Sequence, residues 1–322
     1  MRSKKTPDIK RPDGSFDQRA LARLISEIEN DRDTAETMLA KLYRDPDTVQ
    51  VIGITGPPGA GKSTLADSII GKLREAGKTV AVVAVDPSSP FTGGAILGDR
   101  IRMSTYANDP GVFIRSMGSR GSLGGLAHAT FDVVNLLRST GFDAVVIETV
   151  GVGQSEIDVL AVADTVVLTL VPGLGDDVQA LKAGIMEIAD IFVVNKADRD
   201  GKERLVAEIR MILELNRDRF GWVPPICETV ATEHRGIDGL MEQVLLHGAY
   251  VRDHRDAVRR PKLARQLEKM AADRINRDIL AFLGKGDKFA AWLDAIMAGE
   301  RNPYQVIQEI GSFISVRTED RS

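Results

Sequence analysis

An α/β fold with a mainly parallel sheet is predicted by three features of the sequence. Short β-branched apolar runs alternate with helical patterns through the middle of the chain. Several of these runs are apolar nearly throughout, as strands buried on both faces are. The first run ends in a glycine-rich turn that opens a helix. Such alternation builds βαβ units, and these give a parallel sheet covered by helices on both sides.

Taken in order, residues 1–47 are predicted to form an N-terminal helical arm. After a polar tail, Leu21, Leu24, Ile25 and Ile28 recur at helical spacing, and Met38, Leu39 and Leu42 repeat the pattern. Asp45-Pro46-Asp47 ends it. Residues 48–250 carry the strand candidates Val49–Thr55, Val80–Asp86, Val112–Arg115, Ala144–Thr149, Val166–Val171, Ile191–Asn195 and Ile226–Thr229. From residue 251 to 322 the chain turns charged at Arg259-Arg260-Pro261. Amphipathic patterns follow (Leu263, Leu267, Met270, Ile275, then Phe289, Trp292, Leu293, Ile296). These read equally as helices folded back on the core or as an arm for dimerisation or a partner.

Composition narrows the function. Of the 322 residues 27% are charged, yet the formal net charge is only −4, so the concentrated basic face of a nucleic-acid binder is not expected. No apolar run approaches the roughly 20 residues that cross a bilayer. Met1-Arg2-Ser3-Lys4-Lys5 leads into polar residues and Pro7, not into the apolar core of a signal peptide. The single cysteine, Cys227, excludes an internal disulfide and suits a reducing compartment. A cytoplasmic protein is predicted.

Chemistry concentrates in the turn after the first strand. Gly56-Pro57-Pro58-Gly59-Ala60-Gly61-Lys62-Ser63-Thr64 has the Walker A pattern, with a strand before it and the helix pattern Leu65–Glu75 after it. The glycines let the backbone curl so that its N–H groups face phosphate oxygens. Lys62 supplies a point charge for the β- and γ-phosphates, Ser63 a hydroxyl for Mg²⁺, and the helix N-terminus a partial positive charge.

A second motif selects the base. Asn195-Lys196-Ala197-Asp198 follows the apolar strand Ile191–Val194. A carboxylate accepts two parallel hydrogen bonds from guanine N1–H and N2–H₂, whereas adenine offers no such donor pair. Asp198 is therefore read as the guanine selector, because an analogue lacking those donors leaves a buried carboxylate unpaired. Lys196 lays its stem along the purine, and Asn195 ties the two loops together. Val230-Ala231-Thr232, after the last strand candidate, occupies the place of a backbone clamp for guanine O6. GTP and GDP are the expected ligands.

Two carboxylates close strands where a phosphate-bound Mg²⁺ is held: Asp86, and Glu148 before Thr149-Val150-Gly151-Val152-Gly153-Gln154. Mg²⁺ keeps several waters and takes oxygen ligands, so either acid suits it directly or through water. Asp99 lies in the glycine-rich segment between them.

These segments resemble the MeaB/ArgK GTPases, a SIMIBI-class family. Asp86-Pro-Ser-Ser with Thr92-Gly-Gly-x-Ile-Leu-Gly-Asp99 is similar to its switch I, and Glu148-Thr-Val-Gly-Val-Gly-Gln154-Ser-Glu156 to its switch II. Residues 174–190, from Leu174-Gly-Asp-Asp-Val-Gln179 through Lys182 to Asp190, resemble its switch III. Ala95 and Arg100 depart from residues frequent in relatives. The resemblance implies Mg²⁺ at Ser63 with Asp86, Asp99 and Glu148. It implies catalysis through Lys62, Asp99, Glu148 and Lys182, the last answering a partner.

It further implies a homodimer that hydrolyses GTP slowly alone and acts as chaperone to an adenosylcobalamin-dependent acyl-CoA mutase, with an adenosyltransferase as a further partner. The chain lacks the Asp-x-His-x-x-Gly cobalamin loop, since none of His128, His234, His247 or His254 has a glycine three residues later. The rival readings are a kinase or ATPase, after the older arginine/ornithine transport label of relatives, and a GTP-dependent scaffold with little turnover. Asp198 argues against the first.

Overall fold

The structure is a computed structural model describing residues 9, 16–30, 32–43, 48–86, 104–106, 108–118, 125–149, 162–173, 189–215, 221–283 and 287–319. It divides into two compact units, Met1–Leu263 and Ala264–Ser322.

The first unit is built on seven strands: β1 (Gln50–Thr55), β2 (Val80–Asp86), β3 (Val112–Gly118), β4 (Ala144–Thr149), β5 (Thr165–Leu170), β6 (Ile191–Asn195) and β7 (Ile226–Thr229). They form one sheet in the order β3-β2-β4-β1-β5-β6-β7. Every pairing is parallel, so the mainly parallel sheet is wholly parallel among the described strands. The predicted strands are all present. β1 starts one residue later than expected, β5 is displaced by one residue, and β3 runs on to Gly118.

The helices are α1 (Gln18–Asn30), α2 (Arg32–Leu42), α3 (Lys62–Glu75), α4 (Gly125–Thr140), α5 (Lys202–Leu215), α6 (Ile237–Asp253), α7 (Arg255–Leu283), α8 (Asp287–Met297) and α9 (Pro303–Glu319). Alternate residues of the strands feed two cores. Val51, Val145 and Ile147 pack with Leu21, Leu24, Ile25 and Ile28 of α1 and with Val133 and Leu137 of α4. Ile52, Ile54 and Val146 pack with Leu65 and Ile69 of α3 and with Leu240 and Val244 of α6. Burial on both faces explains why β1, β4, β5 and β6 lack polar alternation. A third cluster joins Leu168, Phe192 and Val194 to Leu205, Val206 and Ile209 of α5.

The second unit has a small core of Trp292, Val306 and Ile310, with Ile279, Leu283 and Ile296 partly buried against it. Leu267, Ile275, Leu293, Met297, Tyr304 and Ile307 are exposed. α7 continues through Pro261 although proline removes one helical hydrogen bond. No helix among the described residues is long and apolar enough to cross a membrane.

Candidate functional site

Strand order sets the site. The Gly56–Gly61 turn leaves the C-terminal end of β1, a central strand flanked by β4 and β5. Parallel register puts Ile54 beside Glu148 on β4, so that carboxylate reaches the turn although it lies far along the chain. In the same way β6 and β7 set Asn195 beside Thr229. Loops from distant parts of the sequence therefore meet at one edge.

The turn depends on its glycines. Gly56 has φ +143 and Gly61 φ +88, values that L side chains rarely adopt. A Cβ on Gly56 would collide with the Thr169 carbonyl of β5, and one on Gly61 with the Asn195 amide. α3 begins at Lys62, three residues before the predicted Leu65, so Lys62, Ser63 and Thr64 form its first turn. The Lys62 ammonium, nearly buried, donates to the carbonyls of Gly56 at 2.8 Å and Pro57 at 3.0 Å. Ser63 Oγ donates to Glu148 Oε1 at 2.5 Å. A cavity of about 600 Å³ opens here, lined by the turn, Lys62, Ser63, Thr64, Asp67, Ala84, Val85 and Glu148.

The second loop is bonded to the first. Asn195, 2% exposed, donates from Nδ2 to the Ala60 carbonyl at 2.8 Å. Its Oδ1 accepts from Thr229 Oγ1 at 3.1 Å and from the Ala231 N–H at 3.2 Å. Lys196 stands in the left-handed region at φ 54 and donates from Nζ to the Gly59 carbonyl at 2.8 Å. The Ala197 N–H bonds the Thr229 carbonyl, and Asp198 is exposed beside them. Val230 pairs with Arg235 across a tight turn. That turn holds Ala231 buried and Thr232 exposed.

Asp86 ends β2 in register with Gly118; its side chain lies outside the described residues. So do Asp99, Gln179, Lys182 and the segments resembling switches I, II and III, apart from the end residues Asp86, Glu148, Thr149, Ala189 and Asp190. Two features escaped the sequence reading. Asp67 faces the same cavity as Ser63 and Glu148, and its position one helical turn after Ser63 was the available signal. His247 of α6 is buried against Asp190 and Thr165. No local pattern marks that contact, because it joins residues far apart in the chain.

A wholly parallel sheet, a phosphate-type turn between β1 and α3, and an Asn-Lys-x-Asp loop bonded to that turn define a guanine-nucleotide-binding P-loop GTPase. Residues 21–282 match the family described as methylmalonyl Co-A mutase-associated GTPase MeaB, and the chain belongs to that family. It is 46% identical to a GTPase-named protein of Pyrococcus abyssi over 311 residues, covering 94% of this chain and 96% of that one. It is 43% identical to the GTPase ArgK of Escherichia coli over 199 residues, 60% of each chain. The crystal structure of a LAO/AO transport system kinase superposes with a TM-score of 0.66, covering 93% of this chain and 94% of the other at 24% identity. That likeness concerns the fold alone.

Proposed function

We propose that this GTPase is Mg²⁺-dependent and serves as a chaperone of an adenosylcobalamin-dependent acyl-CoA mutase, its GTP state gating cofactor delivery and the mutase's protection or reactivation. The observation that carries this reading is the family match over residues 21–282.

Within it the roles follow from chemistry. The N–H groups of Gly56–Thr64 surround the phosphates, and Lys62 exchanges its bonds to the loop carbonyls for phosphate oxygens. Asp198 accepts from guanine N1–H and N2–H₂, with Lys196 against the base and Val230-Ala231-Thr232 near O6. Asn195 spends both ends of its amide on the protein, so it fixes the loop and leaves base reading to Asp198. The metal's donor set fits: Ser63 Oγ and Glu148 Oε1 lie together on the cavity wall, both hard oxygens of the kind Mg²⁺ takes. When bound, Mg²⁺ supplies charge against the negative charge on the transferring phosphoryl group. Asp86 and Asp99 complete the proposed set, and Lys182 is the proposed responder to the mutase.

The proposed organisation is an N-terminal arm (1–47), a nucleotide domain (48–250) and a C-terminal arm (251–322). The exposed apolar residues of the second unit support a role for that arm in homodimerisation or partner binding, in the cytoplasm.

The test is GTP turnover by the purified chain, alone and with a purified adenosylcobalamin-dependent acyl-CoA mutase. Slow basal hydrolysis, faster with the mutase and accompanied by longer mutase activity, is expected. GTP turnover indifferent to the mutase, together with no effect on mutase lifetime, overturns the chaperone role.

A further inference from the structure

We propose that Asp67 is a positioning residue of the metal–phosphate site, its carboxylate accepting a hydrogen bond from a water in the hydration shell of the nucleotide-bound magnesium ion. The proposal rests on the Mg²⁺–nucleotide reading above.

Asp67 follows Ser63 by four residues on α3, so the two side chains share one helix face. Helical side chains lean toward the N-terminus, which tilts the Asp67 carboxylate back toward Ser63. Both line the cavity, as do Thr64 and Glu148.

The chemistry of the side chain points the same way. Asp67 Oδ1 is buried and has no hydrogen-bond partner. Buried carboxylate oxygens are ordinarily satisfied, so the Asp67 carboxylate, which lines the cavity, keeps hydrogen-bonding capacity that the protein's own donors leave unused. Burial also pushes the carboxyl up to about 6, the direction expected where no cation or N–H yet compensates the charge.

Distance favours a water bridge over direct coordination. Four residues of helix rise about 6 Å, and a carboxylate hydrogen-bonded to a magnesium-bound water lies about 5 Å from the ion. A Ser63-held ion and an Asp67 one turn further along match that reach. Magnesium also retains waters that need acceptors.

The experiment measures GDP affinity by calorimetry while Mg²⁺ is varied, for the parent chain, Asp67→Asn and Asp67→Ala. The Mg²⁺ concentration that half-maximally tightens GDP should rise about 10- to 100-fold in Asp67→Ala, the usual loss when an outer-shell partner of a metal is removed. Asp67→Asn, which keeps an accepting oxygen without the charge, should fall between. In EDTA both variants should bind GDP within about two-fold of the parent, because no direct contact with the nucleotide is lost. An unchanged Mg²⁺ requirement in a folded Asp67→Ala chain overturns the proposal, as does an equal loss of affinity in EDTA, which marks a purely structural role. If Asp67→Ala fails to fold, the near-isosteric Asp67→Asn decides by the same criteria. A parent chain that binds GDP with no response to Mg²⁺ overturns the metal reading itself, and this proposal with it.

Discussion

Asn195 and Ala60 are 135 residues apart in the chain and joined by a 2.8 Å hydrogen bond from the Asn195 amide to the Ala60 carbonyl. The same side chain accepts from Thr229 and Ala231. One buried amide thus sets the phosphate turn, the Asn-Lys-x-Asp loop and the loop after β7 relative to one another, with no charge to desolvate.

Removing that amide tests the arrangement. Asn195→Ala gives up three bonds at a buried position and strands the Ala60 carbonyl and Ala231 N–H, so a loss of about 2–4 kcal/mol in unfolding free energy is expected. GDP affinity should fall with it. Urea unfolding gives the first quantity and calorimetry the second. A loss below about 0.5 kcal/mol, the level of an ordinary surface substitution, contradicts this picture.

Asp198 should behave in the opposite way. It is exposed, so Asp198→Asn should leave unfolding within about 0.5 kcal/mol of the parent. The same change should weaken GTP by about 2–4 kcal/mol and favour xanthosine nucleotides, whose 2-oxo group suits the amide. Equal affinity of the unsubstituted protein for ATP and GTP would remove Asp198 as the selector.

Lys62 already has its ammonium turned into the loop, bonded to the Gly56 and Pro57 carbonyls. These neutral acceptors hold it where phosphate oxygens would take over. Lys62→Ala should abolish GTP hydrolysis while the far-ultraviolet circular dichroism spectrum stays native. Undiminished turnover would take the P-loop lysine out of the mechanism.

His247 gives a pH signature of folding. Its Nδ1 is 2.9 Å from Thr165 Oγ1 and its Nε2 3.4 Å from Asp190 Oδ1. Trp222 and Tyr250 pack beside the ring. Burial, with the Lys262 ammonium adding to it, lowers the imidazole from 6.5 to about 4. The folded state therefore binds this proton less readily than the unfolded chain. The stability tied to neutral His247 is complete above pH 6.5 and drains away as pH falls toward 4, at up to about 1.4 kcal/mol per pH unit. Asp190, whose carboxyl is raised by burial, works in the opposite sense, so the measurement is a difference. Urea unfolding of the parent and His247→Gln between pH 7 and pH 4.5 should give a shallower acid loss in the variant. Parallel curves rule the effect out.

The fold and the reaction class were legible in the sequence because both are written locally. Apolar runs such as Val80–Asp86 declare a strand buried on both faces, and the glycines at 56, 59 and 61 mark a turn whose geometry other residues resist. Asn195-Lys-Ala-Asp198 announces its hydrogen-bonding capacity from residue type alone. Strand ends shifted by a residue, as at β1 and β5, because ladder partners rather than propensity decide where pairing stops. Tertiary structure alone decided which groups meet. Parallel register carried Glu148 to Ser63 and Asn195 to Ala60, closed His247 against Asp190, and left a carboxylate oxygen of Asp67 buried without a donor. The physical reason is range: periodicity and turn chemistry act over a few residues, whereas burial and hydrogen-bond satisfaction depend on neighbours that only the packed sheet and its helices supply.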